Sequence, residues 1–197
     1  AAFQMAEAAV PKQLFEETGE THWQVSVGCA GATWKRTRPL CVAGWADAMQ
    51  MCRVDSDVVG YSRLKGRDES GTVGRLRTIR QQHLMPVWRG VAGARKLTGD
   101  GVLVEFASAV EALTAVIEFH QTILDHCRGQ PEDHVILFRT GLHLGDLIVE
   151  GDDLFGDGVN VAARLEAEAP PGGILISRTV HEAVVGRVDA GFEELGS

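Results

Sequence analysis

Arg95-Lys96-Leu97-Thr98-Gly99-Asp100-Gly101-Val102-Leu103-Val104-Glu105-Phe106 is the stretch on which the reading of this chain turns. Two short extended runs flank Gly99-Asp100-Gly101. Asp-Gly is a strong hairpin signal, because only residues tolerant of positive φ fit the tight primed turns. The turn therefore holds one carboxylate, Asp100, at a hairpin tip, with Lys96 four residues earlier on the incoming strand. Alone, that pair reads as solvated charge on a surface hairpin, so the flanking sequence decides.

Downstream, Ser108 opens a clear helix with Glu111 three residues on, a capping box. Val110, Leu113, Ile117, His120 and Leu124 form one face of it, and Gly129 and Pro131 close it. His120 on an apolar face reads as a satisfied core histidine rather than a ligand. Two strands follow, from Val135 and from Asp146, around a turn at Gly145. Asp152 to Gly158 reads as a tight acidic loop, and Val159 to Ala167 as a helix ended by Pro170-Pro171-Gly172-Gly173. Ile174 to Ser177 is a strand, Thr179 to Val185 a short helix, and Arg187 to Glu194 the start of a last strand pair that the chain leaves at Ser197.

Upstream, Asp68 opens a helix in which Val73, Leu76, Ile79 and Leu84 keep roughly helical spacing. Before it lies Asp57-Val58-Val59-Gly60-Tyr61-Ser62-Arg63-Leu64, where Gly60 permits a sharp change of direction. The strand expected ahead of Asp57 is poor, because Arg53 and Asp55 interrupt it. Glycines 28, 31 and 44 and Pro39 break every element in residues 1–50, which are expected to be an irregular N-terminal extension to a domain over 51–197. Hairpins alternating with helices predict an α+β domain, an antiparallel sheet with helices packed on one side.

Composition sets limits. The chain has 197 residues, 45% hydrophobic and 23% charged, enough for a core without disulfide staples. A net charge of −8 argues against nucleic acid or an anionic membrane as partner. The four cysteines form no CxxC pair, which fits a reducing, cytoplasmic setting without structural zinc. No apolar run approaches the ~20 residues of a membrane span. The first residue is Ala, so a fragment of a longer chain is expected.

Three segments, Asp57-Val-Val-Gly-Tyr-Ser-Arg-Leu64, Lys96-Leu-Thr-Gly-Asp-Gly101 and Asp153-Leu-Phe-Gly-Asp-Gly-Val-Asn-Val-Ala-Ala-Arg-Leu165, together resemble the catalytic domain of class III adenylate cyclases, over roughly residues 55 to 195. The resemblance implies a ferredoxin-like βαββαβ core and a head-to-tail homodimer with shared sites. It implies a reaction in which ATP becomes cyclic AMP and pyrophosphate.

By the same resemblance, Asp57 and Asp100 would bind two divalent metal ions, Mg²⁺ or Mn²⁺. Those ions stabilise charge on the attacking and leaving oxygens of an in-line displacement. Lys96 and Asp153 match the pair that reads the purine, and a donor with an acceptor suits the N1 and amino group of adenine. Asn160 would orient the ribose and Arg164 would stabilise the transferring phosphate. Asn160 and Arg164 lie one helical turn apart and so share a face. Asp57 and Asp100 would come from one subunit, and Lys96, Asp153, Asn160 and Arg164 from the other.

Each residue alone has a plainer reading. Asp57 could be a helix cap, Asp100 a turn aspartate, Lys96 and Asp153 solvated charges, and Arg164 an ion-pair partner of Glu168. The disturbed strand before Asp57, the irregular Val91-to-Arg95 segment and the stop at Ser197 depart from the family. They keep open a catalytically inactive cyclase-like domain for dimerisation or nucleotide sensing, and guanylate cyclase remains a third reading.

Overall fold

The computed structural model describes residues 21–26, 50–88, 92–146, 148–150, 153–155 and 157–195. The elements are β1 (His22–Ser26), β2 (Gln50–Val58), α1 (Tyr61–Arg67), α2 (Glu69–Ile79), a π-helical turn (Arg80–Leu84) and α3 (Met85–Trp88). They continue through β3 (Ala92–Thr98), β4 (Gly101–Phe106), α4 (Ala109–Cys127), a 3₁₀ turn (Glu132–His134) and β5 (Phe138–Asp146). β6 (Ile148–Glu150), β7 (Asp153–Phe155), α5 (Asp157–Glu168), β8 (Ile174–Ser177), α6 (Arg178–Val184) and β9 (Gly191–Glu194) complete them. Among the described residues, no helix is long and apolar enough to cross a membrane.

Seven strands form one sheet in the order β3-β4-β2-β5-β8-β1-β9, and β6 pairs with β7 in a separate hairpin. The order β5-β2-β4-β3, all antiparallel, is the βαββαβ core expected from the sequence, the ferredoxin-like arrangement. β8 adds parallel to β5, and β1 and β9 extend the sheet antiparallel. Irregular structure was expected across residues 1–50, yet His22–Ser26 form a strand inside the sheet. His22 is fully buried there, and Trp23 stacks on His181 with ring centroids 3.8 Å apart.

The supposedly poor strand lies inside the sheet, between β4 and β5. Its pleat sends Cys52, Val54, Ser56 and Val58 to one face, all 1% exposed or less. Arg53 points the other way and is equally buried, but Glu105 lies directly opposite on β4 with Nε–Oε1 at 3.5 Å. A buried charge is tolerated when it is paired, and this pairing only the register reveals.

Helices cover both faces rather than the one expected. α4 packs on β2, β4 and β5 from one side, capped by Ser108 Oγ accepting from the Glu111 N–H, as its sequence predicts. His120 of α4 is the core histidine anticipated: Nε2 meets Thr140 Oγ1 at 2.8 Å and Nδ1 meets the Gly172 carbonyl at 3.2 Å. α5 packs on β5, β2 and β8 from the opposite side, where Leu165, Ala169 and Leu175 make a second, smaller core. β8 is thus buried on both faces, which an α-on-one-side arrangement could not produce.

Gly145 is not a turn: β5 runs through it to Asp146, with Gly145 opposite Met51. The acidic segment is also partly strand, since Asp153–Phe155 pair with β6. Of the face predicted for the helix that Asp68 opens, Leu76, Ile79 and Leu84 are buried, while Val73 is 45% exposed and Thr72 takes the buried position beside it.

Candidate active site

Asp57 is the penultimate residue of β2, on the face that carries Arg53 and Asp55. The chain turns beyond it through Gly60, whose φ of 65° is the left-handed conformation glycine adopts at no steric cost. Asp100 enters from the β3–β4 hairpin. Thr98 pairs with Gly101, so the two-residue loop is Gly99-Asp100 rather than Asp100-Gly101. Gly99 takes φ 55° at the first central position, as a type II′ turn demands.

The two aspartates meet. Asp57 is held above its ordinary pKa by burial first, and next by the charge of Asp100, whose carboxyl also shares a hydrogen bond with it. Asp55, two residues back on the same face, is pushed up to about 6 by burial and then by the Asp57 charge. Glu166 of α5 joins from above the sheet. Burial pushes its carboxyl up to about 7, Arg139 opposes that, and Asp57, Asp55 and Asp100 reinforce it.

Arg139 of β5, opposite Asp57 in the ladder, brings a cation to this group. Its Nε lies 3.1 Å from Glu166 Oε1, its Nη1 donates to the Ala167 carbonyl at 3.0 Å, and its Nη2 is 3.9 Å from Asp57 Oδ2. The close Arg139–Glu166 pair and the raised Glu166 carboxyl are compatible: burial raises it first, and the charges of Asp57, Asp55 and Asp100 add to the rise that Arg139 opposes.

This gathering of carboxylates is the test of fit for divalent cations. Among the described residues, no group of three or more His, Cys, Asp or Glu forms a complete metal cage. Mg²⁺ does not need one, since it is commonly held by one or two carboxylates together with substrate phosphates and water. Asp57 and Asp100, as neighbouring carboxylates, suit that mode.

The other sequence-predicted residues sit on β3, β7 and α5. Lys96 is exposed on β3, the edge strand, and Asp153 begins β7, where its side chain lies outside the described residues. Asn160 and Arg164 are exposed on α5, whose buried side is made by Ala162, Leu165 and Glu166. No ion pair joins Arg164 to Glu168 or to either metal-candidate aspartate among the described residues. Within one chain the structure therefore brings Asp57 and Asp100 together and leaves Arg164 facing outward.

Sequence reasoning missed Asp55, Arg139 and Glu166. Asp55 had a signal, its i,i+2 spacing from Asp57 on a strand, but it read as a flaw. Arg139 and Glu166 had none, because only the β2–β5 register and the docking of α5 bring them to Asp57.

Residues 96–196 match the adenylate and guanylate cyclase catalytic domain. The chain is 50% identical over 143 residues to "Putative adenylate cyclase 3" of Rhizobium meliloti (strain 1021), a match covering 72% of this chain and 24% of that protein. It is 28% identical over 140 residues to an adenylate cyclase of Streptomyces coelicolor, covering 71% of this chain and 35% of that one. Among solved structures, an adenylate/guanylate cyclase/hydrolase from Silicibacter pomeroyi superimposes with a TM-score of 0.66 at 36% identity, over 73% of this chain and 84% of that chain. The chain thus spans about a quarter to a third of the length of these two curated relatives. With the family model matching residues 96–196 and the fold shared with a cyclase structure at 36% identity, this chain belongs to the adenylate and guanylate cyclase catalytic-domain family.

Proposed function

We propose that this chain is the catalytic domain of an adenylate cyclase, converting ATP to 3′,5′-cyclic AMP and pyrophosphate as a head-to-tail homodimer. The observation that carries the reading is the meeting of Asp57 and Asp100, with Asp55 and Glu166 beside them, at the end of β2. Two divalent ions bound there, Mg²⁺ or Mn²⁺, would stabilise the 3′-oxygen as it attacks the α-phosphorus and the pyrophosphate oxygen as it leaves.

The protein's own residues supply the rest. Asp57 and Asp100 would hold the ions to which the phosphates of the nucleotide bind. Arg164, exposed and without an ion pair among the described residues, donates to the α-phosphate of a nucleotide seated on the partner's aspartates. Asn160, one turn earlier, fixes the ribose. Lys96 donates to adenine N1 and Asp153 accepts from the adenine amino group. Guanine presents the opposite pattern at those edges, which favours ATP over GTP. The outward direction of Arg164 and the inward direction of Asp57 support a site shared between two subunits.

Cyclic AMP formation by the purified chain, measured across protein concentration with ATP and Mn²⁺, tests the reading. Specific activity should rise with concentration. Mixing Asp57→Ala with Arg164→Ala protein should restore activity that neither has alone, because the mixed dimer keeps one intact site. Two inactive variants that stay inactive when mixed, or turnover of GTP in preference to ATP, would refute the shared-site and base-reading assignments respectively.

A further inference from the structure

The hairpin that carries Asp100 lies at an edge of the described sheet: among the described residues β3 pairs only with β4. Its tip is not packed. A Cβ placed on Gly99 would meet nothing within 4 Å, and Leu97 is 58% exposed. Such a tip would ordinarily fray. Holding two metal ions about 3.5–4 Å apart requires the side chains to be fixed within roughly 0.5 Å.

One side chain reaches the tip from elsewhere. Arg80 Nη2 donates to the Gly99 carbonyl at 2.6 Å and to the Gly101 carbonyl at 3.2 Å. The Gly99 carbonyl belongs to the peptide that supplies the Asp100 N–H, and the Gly101 carbonyl belongs to the second peptide beyond Asp100. Clamping both fixes the main chain on either side of Asp100, and so the direction of its Cα–Cβ bond. Both bonds go to main-chain oxygens, which leaves the Asp100 carboxylate available for a cation.

Arg80 begins the π-helical turn, closed by the Met85 N–H donating to the Arg80 carbonyl. The buried residues on either side are Ile79 and Leu84, five apart. In a regular α-helix five residues overshoot a full turn by about 140°. The wider i→i+5 turn recovers part of that and keeps both residues in the core.

We propose that Arg80 is a positioning residue that braces the Gly99-Asp100 turn and thereby aims the Asp100 carboxylate at the metal site it shares with Asp57. The proposal rests on the reading of Asp100 as a metal ligand. Partners that orient metal ligands commonly cost ~10–100-fold in metal affinity when removed.

The test is Mn²⁺ binding to the full chain without nucleotide, followed by electron paramagnetic resonance of the free ion. Amide hydrogen exchange over residues 98–101 is measured alongside. R80M should bind Mn²⁺ ~10–100-fold more weakly, with faster exchange at the turn and an unchanged circular dichroism spectrum. R80K keeps the charge on a single nitrogen and should fall between R80M and wild type. Mn²⁺ affinity in R80M within two-fold of wild type overturns the proposal, whatever the exchange rates show. Should R80M not fold, R80K decides by the same criterion. D100N separates the two ways of failing: binding equal to wild type refutes Asp100 as a ligand, whereas loss in D100N but not in R80M refutes only the brace.

Discussion

Gly141 of β5 is where helix α5 rests on the sheet, and replacing it with Ala tests how the site is assembled. A Cβ there would collide with the Ala162 carbonyl oxygen and the Glu166 nitrogen, and would sit 2.8 Å from Leu165 Cβ. Two of the three atoms are helix backbone, so no side-chain rotation relieves the clash. Carbon contacts are optimal at about 3.5–4.0 Å, so α5 must lift by on the order of 1 Å. Overpacking of this kind costs ~1–3 kcal/mol, and a rigid backbone neighbour argues for the upper end. For a chain of this size that corresponds to a fall in Tm of about 5–10 °C. The lift acts on two sites at once. It stretches the 3.1 Å Arg139–Glu166 pair beneath the helix and displaces Asn160 and Arg164 on its outer face. A misplacement of about 1 Å can cost ~10²-fold in rate. Gly74→Ala is the control. Gly74 lies inside α2 and a Cβ there meets nothing within 4 Å, so the same methyl should stabilise by ~0.5–1 kcal/mol. Urea unfolding and cyclic AMP assays on the two variants decide the matter. Gly141→Ala within ~0.5 kcal/mol of wild type, the range of an ordinary surface substitution, would refute the close docking of α5.

Two further outcomes follow. Arg164→Ala should lower kcat by ~10³-fold or more while changing ATP affinity far less, read by steady-state kinetics beside equilibrium binding; an unchanged kcat refutes its role at the phosphate. His120, held down to about 4 by burial, is neutral in the fold while the unfolded imidazole takes its proton near ~6.5. Its contribution is therefore full above pH ~6.5 and is lost as the pH falls toward 4, by up to ~3 kcal/mol. Asp55 and Glu166, with raised carboxyls, act in the opposite sense, losing stability as pH rises through about 6 and 7. Comparing unfolding free energies of wild type and His120→Asn from pH 4 to 7 isolates the histidine. Equal slopes would refute its burial as a neutral ring.

The sequence alone determined what is written in local order. The α+β class, the α4 cap at Ser108, the turn before Asp100 and the resemblance carried by three segments rest on spacing and turn chemistry, which a linear chain displays. What it obscured depends on pairing across distance. Arg53 and Asp55 looked like flaws in a strand because their justification lies on other elements: Glu105 in the neighbouring strand and the carboxylate group around Asp57. Residues 22–26 gave no signal because a short strand flanked on both sides draws its stability from its neighbours rather than from its own composition. Arg139, Glu166 and Arg80 reach the site only through the β2–β5 register, the close seat of α5 on Gly141 and the π-helical turn. Charges this far apart in sequence become neighbours only when the sheet closes. The sequence therefore named the candidate ligands, and the tertiary structure decided which cations and carboxylates hold them in place.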